Sequence, residues 1–431
     1  MLTEKQKLEA LTRLGADLNR IKDLDILMEH ILTEARRFVN ADAGSIYIRK
    51  EDQLLFTYTQ NATLQKKLPR GEKLIYSTFS IPTDKSSIAG YTAITGKPLN
   101  IPDVYRLDNA VPYRFSRKFD LTSGYETHSV LAIPLKTLRD EVVGVLQVIN
   151  GQDESGKIIS FSEEAARMMN HFASMATTAF ERAQMTRTLI LRMIRMAELR
   201  DPKETGAHVN RVGSYAVEIY ERWAQENGIQ DKELQTNRDV LRMAAMLHDV
   251  GKVAISDEIL KKPGRLTEEE YAVMKQHTVF GARLFADKKS DFDEAAAEVA
   301  LNHHEWWNGQ GYPGRVDVDA NGSPQTFPAR GGKTPGKVSE EIPLFGRIVA
   351  IADVYDALSS KRVYKESWDE ADILKAMERG AGEQFDPRLI EFFFSSLDVI
   401  RSIQHRYPDQ DEEDRTCPDT LSRTQTIEQC T

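Results

Sequence analysis

The sequence predicts two units of different fold class: an α+β amino-terminal domain with an antiparallel sheet flanked by helices, and an all-α carboxy-terminal domain. One long helix joins them. Three observations carry this reading. Strand-like runs bounded by turn residues are confined to the chain before Gly151. From Glu204 to about Ser402 the pattern is nearly all helical, broken by loops. Between the two, residues 163–200 keep helical apolar spacing without a break. With 431 residues the chain is long enough for more than one core, at about 100–200 residues per domain.

The elements follow in order. Leu8, Leu11, Leu14 and Leu18 sit at helical spacing, which predicts a helix over 1–23, and a second helix follows over 25–39. Strands are predicted at 43–48, 53–57, 130–134 and 141–149, the last preceded by a turn at Arg139-Asp140. The long helix starts at Ser162, an N-cap with Glu163 and Glu164 in the first turn to complement the helix dipole. Asp201-Pro202 stops it. Within it Met169, Phe172, Ala176, Ala179, Ala183, Thr186, Ile190, Met193 and Ala197 form a heptad seam. The seam crosses the domain boundary, so the expectation is a parallel connector between two copies of the chain. The alternative is a seam that packs on the chain's own domains. Residues 315–341, rich in Gly, Pro, Lys and Asp, read as a long loop. The tail from His405 is acidic and poor in apolar residues, which reads as disorder.

Composition excludes several functions. There are 57 basic and 66 acidic residues, a net charge of −9, which is a poor basis for wrapping duplex nucleic acid. No apolar run approaches a membrane span, and the first residues lack the apolar stretch of a secretory signal. The only two cysteines are Cys417 and Cys430 in the tail, which excludes a disulfide framework and a thiolate zinc site. A reducing, cytoplasmic setting is expected.

Five of the nine histidines fall between 208 and 304. Glu204 and His208 lie four apart and share a helix face. His248 and Asp249 close an apolar helix, His277 stands in MKQHT, His303 and His304 are adjacent, and Asp353 interrupts another apolar run. Taken singly, each is an ordinary core or capping residue. Together, neutral imidazoles and carboxylates buried without partners would cost several kcal/mol. A shared metal centre satisfies them all, and imidazole and carboxylate ligands without thiolate suit Fe or Mn. Clustered divalent cations are a common device for in-line displacement at phosphorus. Lys252, one turn beyond Asp249, puts an ammonium within reach of a phosphate. Gly309, Gly311, Tyr312 and Pro313 predict a tight loop that brings backbone and a ring close to a ligand. Arg347, Arg362 and Lys365 are basic residues near Asp353 that would meet phosphates or simply face solvent.

HDVGK, MKQHT, HHEWWNGQGYP and RIVAIADVYDALSSKRVYK, in this order over 186–402, resemble the HD-GYP family of metallohydrolases. The resemblance implies hydrolysis of cyclic di-GMP to pGpG and on to GMP, with two or three divalent cations. It implies His208, His248, Asp249, His277, His303, His304 and Asp353 as metal ligands, and Glu204 as a further ligand of a three-metal subclass. Lys252 and Asp249 take the catalytic positions, and Gly311, Tyr312, Pro313, Arg347, Arg362 and Lys365 the substrate side. A homodimer and a diguanylate cyclase are the implied protein partners. Two departures stand out: Asn308 replaces the aspartate usual before GxGYP, and the stretch from Gly314 to Ile342 is longer than usual.

ADAGSIYIRK, SIAGYTAITGKPLNIPDV, SVLAIPLK and EVVGVLQVIN, across 1–183, resemble a GAF sensory domain. It contains no cysteine for covalent bilin attachment, and the NKFDE signature is broken at Asn150-Gly151 and after Phe161. A ligand of unknown kind and a ligand-free dimerising role both stay open. Rival readings of the whole are a 3′,3′-cyclic GMP-AMP phosphodiesterase and a non-catalytic interaction or receptor module. A dNTP or guanosine tetraphosphate hydrolase is disfavoured by the HHE and GYP segments.

Overall fold

The computed structural model describes residues 12–69, 73–74, 79–198, 206–316, 336–360 and 369–408. The amino-terminal domain begins with α1 (12–18) and α2 (Leu24–Phe38). Then come β1 (Ala41–Lys50), β2 (Gln53–Asn61), α3 (Ala62–Gln65), β3 (Phe79–Pro82), α4 (Ile88–Thr95) and β4 (Leu99–Ile101). It closes with α5 (Lys118–Ser123), β5 (Val130–Lys136), β6 (Val142–Gln152) and β7 (Ile158–Ile159). The strands form one antiparallel sheet in the order β3-β2-β1-β6-β5-β4, with β7 on β6.

The period of two along the strands sorts side chains onto two faces. Leu131, Ile133 and Leu135 of β5, with Leu146 and Val148 of β6, pack against α2 and the long helix. Val130, Ala132 and Val145 point the other way, onto Ile88, Ala89 and Ala93 of α4. Asp23 caps α2 through the amides of Asp25 and Ile26.

The long helix, α6 (Glu163–Glu198), runs as predicted, and Ser162 Oγ accepts from the amide of Ala165 at 3.1 Å. Six of its nine seam residues pack on the chain's own domains, whereas Met193 is exposed. Met169, Phe172, Ala176, Ala179 and Ala183 are buried in the sheet core, and Ile190 in the core of the second domain. A heptad count records apolar periodicity but cannot say which surface answers it. The large apolar side chains α6 exposes are Met185, Leu189 and Met196, together with Met193 from the far end of the seam.

The second domain is helical: α7 (Gly206–Glu226), α8 (Asp231–Met246), a 3-10 turn (Val250–Ala254), α9 (Asp257–Leu260), α10 (Glu268–Met274), α11 (His277–Leu284) and α12 (Asp291–Asn302). Then follow α13 (Leu344–Ser359), α14 (Glu370–Arg379), α15 (Pro387–Ser395) and α16 (Leu397–Arg406). Val212, Ile219, Leu241, Ala244, Val299 and Ile351 are fully buried where α7, α8, α12 and α13 converge. The two domains meet across buried charge: Arg242 of α8 donates from Nε to Asp23 at 3.0 Å and from Nη2 to Asp25. Glu204, Arg362, Lys365 and the tail beyond Pro408 lie outside the described residues.

Candidate metal centre

The ligand-bearing residues are placed by helix ends and by one close backbone contact. α8 ends at Met246, and the chain turns through His248 and Asp249 into the 3-10 turn. That turn lies against α11 because Gly251 has no side chain. A Cβ there would stand 2.0 Å from the carbonyl oxygen of His277 and 2.3 Å from the amide nitrogen of Gly281. The glycine of HDVGK thus sets the distance between Asp249 and His277. His303 caps the end of α12. Beyond it the amide of Tyr312 returns to the carbonyl of His304 at 3.1 Å, and that of Gly314 to Glu305.

Two groups of potential ligand atoms result: Asp249, His277, His303 and His304, and His208, His248 and Asp353. Within each, the atoms lie within 4.8 Å of one another. Asp249 stands between them. Its Oδ1 is 3.0 Å from His277 Nε2 and 3.5 Å from His303 Nε2, and its Oδ2 is 3.4 Å from His248 Nε2. Asp353 Oδ1, from α13, is 3.7 Å from Nε2 of both His208 and His248.

The opposite ring nitrogens explain the arrangement. Nδ1 of His248 lies 2.8 Å from the carbonyl of Ala245, that of His277 2.8 Å from Met274, and that of His303 3.1 Å from Val299 and Ala300. A carbonyl only accepts, so each Nδ1 carries the proton and each Nε2 keeps its lone pair. The Nε2 atoms of His277 and His303 and Oδ1 of Asp249 are buried and have no hydrogen bond. Buried acceptors pointing at one another are costly without a cation between them. The residues present therefore fit divalent cations held by imidazole and carboxylate.

Residues 205–358 match the HD domain family, residues 330–389 a further HD-domain model, and residues 23–180 the GAF domain family. The chain carries a GAF domain and an HD domain. A 3′3′-cGAMP-specific phosphodiesterase 2 of Vibrio cholerae is 37% identical over 224 residues, 52% of this chain and 37% of that protein. The cyclic di-GMP phosphodiesterase response regulator RpfG of Xanthomonas campestris is 35% identical over 275 residues, 64% of this chain and 62% of its own. A cyclic di-GMP phosphodiesterase of Thermotoga maritima is 36% identical over 216 residues, half of each chain. The chain thus spans between 37% and 62% of the length of these relatives.

Desolvation in the HD domain lowers the pKa of His303, against the pull of Asp249. His304 is held well below the usual imidazole value, by desolvation first and then by His303 and His277. Burial pushes the Asp249 carboxyl up, but Lys252, His248 and His277 outweigh it and hold the group well below the carboxylate range. Both trends favour neutral imidazole and ionised carboxylate, the forms able to bind a cation.

Of the residues expected from sequence, the HD domain brings together His208, His248, Asp249, His277, His303, His304 and Asp353. Lys252 Nζ is 2.6 Å from Asp249 Oδ2. The Tyr312 ring lies 4.8 Å from that of His304, and Gly309 takes a positive φ of 80° in the same loop. Gly311 is close-packed, with a Cβ there 2.2 Å from the amide nitrogen of Trp306, and Pro313 is buried. Arg347 is not among the ligands. Its guanidinium pairs with Asp386 at 2.6 Å and lies over the Trp307 ring, so it anchors the loop instead of standing free for phosphate. Sequence reading missed Tyr271 and Lys275, whose ammonium sits 4.6 Å from the Tyr271 ring and 5.3 Å from that of Tyr312. It also missed Asp356, whose only signal was a second acid one turn after Asp353 in an apolar helix.

Proposed function

We propose that the HD domain is of the HD-GYP kind and hydrolyses a phosphodiester bond of a cyclic dinucleotide, cyclic di-GMP first, to pGpG and GMP. The observation that carries this is Asp249, one carboxylate facing two ligand groups with a lysine at its side. The names of the relatives support the substrate class.

Bound in the two groups, divalent cations would supply Lewis acidity toward the phosphoryl oxygens and a water of lowered pKa as nucleophile. Asp249, His277, His303 and His304 would hold one cation, and His208, His248 and Asp353 another. Fe or Mn matches a donor set of imidazole and carboxylate without thiolate. Lys252 holds a positive charge beside the ligand carboxylate, where it stabilises charge developing on phosphate or on the leaving oxygen. Tyr312, its ring already against His304, offers a face to a purine. The exposed row of Met185, Leu189, Met193 and Met196 supports a homodimer along α6.

The test uses the full chain, purified anaerobically, loaded with Fe or Mn and given cyclic di-GMP and 3′3′-cGAMP side by side. Turnover of cyclic di-GMP to pGpG or GMP is expected, and the His248→Ala, Asp249→Ala double variant should lose both turnover and metal. Preferential cGAMP cleavage would move the substrate assignment. Bound metal with no turnover of either dinucleotide would defeat the enzyme reading.

A further inference from the structure

One ligand histidine is oriented differently from those described above. His248, His277 and His303 direct Nδ1 to backbone carbonyls, whereas His208 Nδ1 lies 2.8 Å from Oδ2 of Asp356. Asp356 is fully buried. Arg211, itself 2% exposed, grips it with a two-point fork, Nε to Oδ1 at 2.6 Å and Nη2 to Oδ2 at 2.8 Å. Burial works against the Asp356 charge, but His208 and Arg211 keep the carboxyl below its ordinary range. A carboxylate behind an imidazole makes the far nitrogen a better donor than a carbonyl does.

The fork does not end in the HD domain. Arg211 Nη1 donates to the backbone carbonyl of Tyr407 at 2.8 Å, and the Tyr407 hydroxyl donates to Asp25 Oδ2 at 3.1 Å. Asp25 is the second residue of α2 in the GAF domain. The same carboxylate meets Arg187 of α6 at 3.0 Å, Arg242 of α8 and the hydroxyl of Tyr58 on β2. Arg187 in turn reaches Asn210 at 2.7 Å, beside Arg211 on α7. Asp25, Tyr58, Asn210, Arg211 and Arg242 are buried, and Arg187 and Tyr407 half-buried, so these directed contacts are held more firmly than a surface pair.

We infer that Asp356 and Arg211 are positioning residues for His208, and that Tyr407 ties them to Asp25, so that the domain interface sets cation affinity at the His208, His248 and Asp353 group. This rests on the reading of these residues as a metal centre. It adds that the two ligand groups differ: among the described residues, the hydrogen-bonded route to the GAF domain leads from the His208 group. A change at α2 would reach that group and leave the Asp249, His277, His303 and His304 group in place.

Mn2+ titration of the full chain by calorimetry, with metal per protomer measured after gel filtration, tests it. Asp356→Asn should weaken one class of sites about 10- to 100-fold and leave the other unchanged. Its pattern should copy His208→Ala and differ from His277→Ala. Because Asp356→Asn leaves Arg211 facing an amide, Arg211→Lys is the second variant; it keeps the charge, loses the fork, and should weaken the same class. Tyr407→Phe, which removes the hydroxyl and keeps the carbonyl on Arg211, should weaken that class about fivefold. Equal weakening of both classes, or none, in folded Asp356→Asn and Arg211→Lys would overturn the positioning role. Wild-type affinity in Tyr407→Phe would overturn the link to the GAF domain. A wild-type chain that takes up no Mn2+ or Fe2+ would instead defeat the metal centre itself.

Discussion

At the scale of single residues, protonation decides what the centre can hold. Burial keeps His303 below, and His304 well below, the ordinary imidazole value of 6.5. An unfolded imidazole binds a proton at about 6.5 while these two resist it in the fold. Their contribution to stability is therefore whole above that pH and drains away as the pH falls below it. Asp239 acts in the opposite sense. Burial raises its pKa to about 6, so acidification from there downward relieves a charged group the fold disfavours. The useful readout is a difference between proteins. In the metal-free state, the urea midpoint of the wild type should fall more steeply from about pH 6.5 to 5 than that of His304→Gln. Parallel slopes would mean that His304 titrates as it does in water.

At the scale of elements, close approach is the controlling variable. The 3-10 turn and α11 touch backbone to backbone at Gly251, and this contact holds Asp249 to His277. Gly251→Ala should push the turn from α11, costing about 3 kcal/mol and loosening the cation proposed to bind at Asp249 and His277. Thermal melts with and without Mn2+ report both effects; a variant whose melting point still rises on adding Mn2+ by the wild-type amount would contradict it. α6 teaches a second lesson at this scale. Phe172 and Ala176 are fully buried against the sheet, so Phe172→Ala should cost about 3–5 kcal/mol in urea unfolding of the GAF domain. A loss below about 1 kcal/mol would mean this seam position is not core.

At the scale of the whole molecule, the two domains are held by charge taken out of water. Arg242 is 3% exposed and answers both Asp23 and Asp25. Replacing it by methionine leaves buried carboxylates with too few counter-charges, which costs about 3–5 kcal/mol where a buried pair is broken. Arg242→Met should therefore split urea unfolding into two steps, one per domain, where the wild type is expected to unfold in a single step with the domains docked. Retention of a single transition at the wild-type midpoint would mean that the interface is held elsewhere. Lys73 adds a rim contact, 2.7 Å from Glu218 and close to Glu221, that salt should weaken first.

Much of this was legible in the residues alone. Apolar spacing of two and of 3.6 marked the sheet and the helices, and the long helix with its Ser162 cap, because those periods are local properties of a backbone. The clustering of the candidate ligands was legible because buried imidazole and carboxylate in apolar helices lack a cheap alternative to a shared partner. Long-range contact was not. Whether the α6 seam met another chain or its own cores, whether Arg347 faced phosphate or Asp386, and that Asp356 stood behind His208 depended on which surfaces meet in three dimensions. The short strands β3, β4 and β7 were missed for the same reason, since their neighbours in the sheet define them more than their own few side chains do. Sequence carries the chemistry of each group and its local spacing; partnership between groups far apart in the chain is a property of packing, and only the folded molecule holds it.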